Sequence, residues 1–304
     1  MYVPAPPPDP QPHAVMALPF SDFLVAVAQP VARILRLPHL PEHFPTLFYA
    51  FLGFTALHLY ISPFLSSRIF PISYGKLRTP RAVNQWNIQV VSLFHVFIVL
   101  PLALSCFGSE TLEADKLWGW DDRVGTTVAV ACGYFLWDAL DAAINFDDLG
   151  FLIHGVACFT LYILTFRPFL GYFAPRFLTW ELTIFLNIHR FLDKTGYTGS
   201  RAQWVNGVIL LSTFFSVRIL YGWYLTADFM RELYAARDQL PAIYLLCFAL
   251  GNLTLNTLNI IWFYKMIFAV RKRFDGEAQP LRAAAEGASD AASALSATGN
   301  GAAA

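Results

Sequence analysis

Apolar runs of roughly span length alternate with short polar stretches along this chain, at residues 44–65, 88–107, 125–143, 149–166, 169–191, 207–225 and 241–270. A run of about 20 apolar residues crosses the hydrocarbon core of a bilayer. Lipid offers no partner to backbone N–H and C=O groups, so each span has to be a helix. The pattern predicts an all-α fold, a multi-pass transmembrane helical bundle of about seven spans. Pro175 and Arg176 interrupt the fifth run. A proline can kink a membrane helix without ending it when neighbours satisfy the freed carbonyl. The count falls to six if this run is re-entrant.

The breaks in the pattern carry more information than the pattern. Glu181 lies inside the fifth run and is followed by Thr183, Asn187 and His189. Other runs carry His95, Asp138, His154 and Arg218. A charge at the bilayer centre costs about 2.5–3.5 kcal/mol on insertion scales, so such residues normally face a bundle interior or a water-filled cavity. A polar-lined central cavity is therefore expected, and function is to be sought in that lining.

Composition agrees with the membrane class: 56% hydrophobic residues, 14% charged and a mean hydropathy of +0.48. The formal net charge of zero gives no electrostatic footprint for nucleic acid, and none is expected as a partner. Residues 1–43 form a Pro-rich segment and a candidate amphipathic helix at 21–37, which either lies on the membrane surface or packs on the bundle. No basic stretch precedes an apolar core near the start, so no cleavable signal peptide is expected. Residues 44–83 hold the first span and its loop, and 84–273 hold the main transmembrane domain. Residues 274–304 read as a disordered Ala/Gly/Ser-rich tail with almost nothing to bury. Loop Lys and Arg residues slightly favour the side bearing Arg271, Lys272 and Arg273, which places the C-terminus in the cytosol. The four cysteines all fall within spans without metal-ligand spacing. They read as small buried apolar residues.

Several polar positions offer chemistry. Asn84, Asn87 and His95 share one helical face. Asp138 and Asp141 lie three apart on another. Asp138 is the deeper of the two and needs a partner or a proton; paired carboxylates can do acid–base work. His154 sits about one turn into the fourth span, behind Asp147 and Asp148, which suit a helix N-terminus without further purpose. Its imidazole can be nucleophile, base or hydrogen-bond donor. Arg218 keeps its proton, and Glu181 or Asp138 is its expected anion. Asn252, Asn256 and Asn259 form a stripe that either glues helices or lines a pathway. There is no glycine-rich phosphate loop, no metalloprotease helix motif and no nucleophile elbow.

Six segments in order make a more specific pattern. Trp86-Asn87 leads to Ser92 and His95. GYFLWD ends at Asp138, DLGFLIH at His154, WELTIFLN at Asn187, FFSVRI one residue past Arg218, and LNIIWFYK at Lys265. Their order and spacing resemble the TLC-domain family of multi-pass membrane proteins over residues 84–270. That family includes ceramide synthases, which join a fatty acyl group from acyl-CoA to a sphingoid base. It also includes proteins linked to membrane lipid composition and fluidity. The synthases carry a double histidine where this chain has His154-Gly155, so the second is absent. The acidic positions that follow in the synthase motif are not recognisable after Phe166. Asp138, Glu181, Asn187 and Arg218 match positions shared across the wider family.

The resemblance implies two expectations. The first is a protein of membrane lipid homeostasis that binds or senses a lipid or acyl chain within the bundle. His95, Asn187, Arg218 and Asn256 are its lipid-binding candidates. The second is an intramembrane acyl-CoA-dependent acyltransferase, with His154 as nucleophile or base and Asp138 or Glu181 orienting it. No cofactor or metal is expected; acyl-CoA enters only as a substrate of the second. The family points to the endoplasmic reticulum. A transporter with a midplane site would also use buried charges, but the chain has no visible internal repeat.

Overall fold

The computed structural model describes residues 19–167 and 171–299; for Thr183 and residues 271–299 it describes the backbone alone. The Pro-rich start at 1–13, residues 168–170 of the fifth run and the side chains of the 271–273 cluster lie outside the described residues.

The elements are helical throughout the described residues. In order they are α1 (Ser21–Ile34), α2 (Leu40–Ile69), α3 (Pro80–Ser105), α4 (Asp122–Ile144), α5 (Leu149–Leu164), α6 (Phe173–Phe177), α7 (Phe185–Lys194), α8 (Arg201–Ala235) and α9 (Ala242–Gly299). Short helices Pro71–Gly75 and Glu110–Ala114 sit in two of the loops. Helices α2, α3, α4, α8 and the Ala242–Val270 part of α9 are long and apolar enough to cross a membrane. Helix α5 has only 16 residues. The fifth run is not one helix: α6, a 3-10 stretch at Leu178–Ile184 and α7 follow one another. Five full spans, a short apolar helix and a broken segment thus stand where seven spans were expected. The backbone of α9 is helical to Gly299, through most of the tail read as disordered. Its alanine-rich composition favours helix without requiring burial.

Local chemistry sets the helix starts. Thr79 accepts a hydrogen bond from Ala82 N at 3.2 Å ahead of Pro80. Asp121, Asp148 and Ser200 cap α4, α5 and α8 in the same way. Two of the long helices widen into π-turns, at Leu57–Ile61 in α2 and Phe215–Tyr221 in α8. Such turns often mark functional positions.

Helix α4 is the centre of the bundle. Of its most apolar stretch 56% is buried, against 28–33% for the other long helices. Its neighbours approach closely. A Cβ at Gly133 would fall 2.7 Å from Phe51 N on α2, and one on Gly155 of α5 would fall 3.0 Å from Ala139 Cα. Small residues at such crossings let backbones pack where lipid gives no hydrophobic drive for helix association. The outer faces keep Phe94, Phe97, Val205, Val208, Leu246 and Leu250 exposed, as lipid contact requires. Helix α1 packs on the bundle, the second of the two arrangements expected of it, and is amphipathic. It buries Leu24, Ala28 and Ala32 while exposing Phe23, Val27, Val31 and Ile34.

Candidate functional site

Three side chains from three irregular or short segments meet in the middle of the bundle. His154 comes from α5, Glu181 from the 3-10 stretch and Arg218 from the π-turn of α8. All three line two different cavities. The first is an apolar chamber walled by Phe135, Leu161, Phe173, Phe177, Phe229 and Phe248. The second is a wider vestibule that includes Ser92, Asp138, Asn187, Arg190, Trp262 and Lys265. The polar trio forms the border between an apolar space and a charged one.

Arg218 is held from three sides. Its Nε donates to Trp180 O at 3.1 Å and its Nη1 to Asn259 Oδ1 at 3.0 Å. Its Nη2 stands 4.0 Å from Glu181 Oε1. The guanidinium also faces the ring of Phe214 at 5.4 Å, a cation–π approach. A buried guanidinium has to find its partners inside the protein, and this one bonds a carbonyl and an amide, with the Glu181 carboxylate as its counter-charge. The structure thus selects Glu181, not Asp138, as the anion of Arg218.

Glu181 spends its other oxygen on His95. Oε2 lies 3.7 Å from His95 Nδ1. His95 is fully buried and stacks on Tyr134, ring centroids 3.6 Å apart. It stands behind Glu181 and lines neither cavity among the described residues. His154 differs: it opens to both spaces, with the edge of Trp262 at 5.2 Å and Cys158 Sγ at 3.7 Å from its Nε2. Neither Asp138 nor Glu181 forms an ion pair with His154 among the described residues, so the expected orienting carboxylate is absent from this arrangement.

The two aspartates that offered a carboxylate pair line different cavities. Asp138 faces the vestibule. Asp141 faces a different groove, where Asn145 donates to it at 2.9 Å, Asn84 at 3.3 Å, and His58 Nδ1 lies 3.7 Å away. Asn87 also leaves the candidate set, because it accepts from Ser62 at 2.9 Å and so ties α3 to α2.

The asparagine stripe divides three ways. Asn252 lines the chamber and Asn259 holds Arg218. Asn256 donates to Thr226 Oγ1 and to Asn252, each at 3.0 Å, which joins α9 to α8. Asn256, a lipid-binding candidate in the sequence, lines neither the chamber nor the vestibule and ties α9 to α8. Asn187 lines the vestibule and donates to Ser92 at 3.5 Å. Sequence reasoning missed Arg190 and Lys265 as lining residues. Their signal was the helical offset of three from Asn187 and Trp262, on the same faces.

Gly155 explains the missing second histidine. Even a Cβ there would meet Asp138 Oδ2 and Ala139 Cα, both at 3.0 Å. An imidazole has no room without moving α5 away from α4.

Among known proteins, the family model of the TLC domain matches residues 85–268. An uncharacterized TLC domain-containing protein of Schizosaccharomyces pombe is 35% identical over 255 residues, 82% of this chain and 87% of that one. TLC domain-containing protein 4-B of Danio rerio is 32% identical over 237 residues, 75% of this chain and 89% of its own length. Topoisomerase I damage affected protein 4 of Saccharomyces cerevisiae is 26% identical over 260 residues, covering 82% and 93%. No solved structure matches.

Proposed function

We propose, for a chain that belongs to the TLC-domain family and is an integral membrane protein, that it binds a lipid or acyl chain inside the bundle and serves membrane lipid homeostasis. One observation carries this reading: an apolar chamber and a charged vestibule share the His154–Glu181–Arg218 border. An amphiphile has the same division. Its acyl chain suits the phenylalanine walls, and its head group suits Arg190, Lys265, Asn187 and Arg218. Apolar pockets with a few convergent polar groups are the usual form of small-molecule sites. The vestibule lies toward the end of the bundle where α9 leaves the membrane. On the positive-inside reading that end faces the cytosol, and the family points to the endoplasmic reticulum.

The test is native mass spectrometry of the protein released gently from membranes. We expect a stoichiometric lipid in the wild type and its loss in Ala174→Trp, which fills the chamber wall. A wild type that carries no lipid sinks the proposal.

An acyltransferase remains the second reading. The observation that favours it is the position of His154, where the head and tail of an amphiphile would join. His154 would act as base or nucleophile toward acyl-CoA and an acceptor, without a carboxylate partner. Acyl transfer that persists in His154→Ala rules this mechanism out.

A further inference from the structure

At the end of the bundle away from the vestibule, the first turns of α2 and α4 bring a histidine and two carboxylates together. Glu42, His43 and Asp122 each offer a ligand atom, and these atoms lie within 4.8 Å of one another. We propose that they form a zinc site that pins α2 to α4. None of the three belongs to the lipid site, and the proposal does not depend on that reading.

His43 is the decisive member. It is 8% exposed, and its Nε2 is buried with no hydrogen-bond partner. The nearest carboxylate oxygen is Glu42 Oε1 at 3.5 Å. Leaving a buried imidazole nitrogen without a partner is costly, and a metal ion removes that cost. The ring is fixed by its neighbours: it stacks on Phe166 at 5.9 Å and tilts against Trp120 at 6.0 Å. Gly125 makes the space for it, since a Cβ there would fall 2.0 Å from Nε2 and 2.4 Å from Cε1. That overlap would come through the face of the ring, so glycine packs on the imidazole and leaves the in-plane lone pair of Nε2 free.

His39 supports the site from behind. Its Nδ1 bonds Glu42 Oε1 at 2.7 Å, and its ring stacks on Trp120 at 4.1 Å. Residues 39, 42 and 43 share one face of a helical turn. An imidazole bonded to a ligating carboxylate is a common outer-shell arrangement and orients the ligand. One imidazole with two carboxylates suits zinc better than calcium or magnesium, which take oxygen ligands alone. Three protein ligands leave a fourth position for water. Glu42 and Asp122 are exposed, which gives the ion a path from solvent.

The experiment is metal analysis of the full chain in detergent after equilibration with zinc and removal of the excess. We expect one zinc per chain and a Tm that rises with zinc. In Glu42→Gln/Asp122→Asn, which keeps side-chain shape, the stoichiometric zinc and the rise in Tm are lost. His39→Ala retains the site with an affinity about 10–100-fold weaker. X-ray absorption of the zinc-loaded wild type keeps the proposal testable if a variant misfolds. A first shell of nitrogen and oxygen at about 2.0–2.2 Å supports it. A wild type that binds no zinc, equal zinc in the double variant, or a sulfur first shell from the cysteines overturns it.

Discussion

The two ends of this bundle use their charges differently. At the end where the chamber closes, charges pair with each other in the loops and at helix ends. Lys116 donates to Asp228 at 2.8 Å, Arg176 to Glu113 at 2.5 Å, and Arg123 to Asp121 at 2.6 Å. At the other end, Arg190 and Asp138 line an open vestibule, and the one ion pair on its wall among the described residues, Lys265 with Asp148 at 3.5 Å, is half exposed. Charges consumed in pairs hold a structure together. Charges on a cavity wall remain available to a ligand. Removing the first kind changes stability, and removing the second changes binding. The border between them, Glu181 and Arg218, is the one place where both effects coincide.

That contrast is tested most severely at the border. Arg218→Ala leaves Glu181 buried without its cation and Asn259 without its donor. Breaking one partner of a buried ion pair costs about 3–5 kcal/mol. Unfolding in detergent is expected to show a loss of this size, together with loss of bound lipid. A variant as stable as the wild type refutes the border role. Next in size is Gly155→His, which restores the absent histidine. Overpacking between α5 and α4 is expected to cost about 1–3 kcal/mol. Unchanged stability means that the helices separate more easily than the 3.0 Å contacts imply.

The vestibule comes third. Arg190→Ala combined with Lys265→Ala is expected to leave stability within about 0.5 kcal/mol. It is expected to weaken retention of anionic lipids, with reduced salt dependence. Lipid retention equal to wild type removes the distinction between the ends. The smallest effect is at the closed end. The Arg123 guanidinium holds the Asp121 carboxyl at about 2, below its ordinary 3.8. A depressed carboxylate contributes stability that is complete above its unfolded value and lost as pH falls through the folded one. Thermal unfolding scans between pH 5 and pH 2 are expected to show this loss in the wild type and a smaller one in Asp121→Asn. Lipid binding at neutral pH is expected to be the same in both.

Much of the fold was legible in the chain. Period and length locate α2, α3, α4, α8 and α9, because the bilayer imposes a local rule on every residue that crosses it. Pro175 and Arg176 also marked the segment that proves discontinuous. The site was legible in part. His154, Glu181 and Arg218 stood out because an ionisable group in an apolar run has to have a reason to be there. The cluster at His39, Glu42 and His43 passed unnoticed, although its offsets place all three on one turn. Its fourth member, Asp122, lies far along the chain, and a reading confined to spans overlooks their ends.

The sequence by itself determined that this is a helical membrane bundle with polar groups inside it. Hydrophobic length and the cost of a buried charge are properties of each segment alone. Tertiary structure decided which polar groups meet. It turned Asp138 and Asp141 into different cavities and gave Glu181 to His95 and Arg218, not to His154. It also divided the asparagine stripe among chamber, glue and clamp. Those outcomes depend on how helices rotate and approach, and contacts such as Gly155 on Ala139 set that approach. Such contacts join residues distant in the chain, and no local pattern contains them.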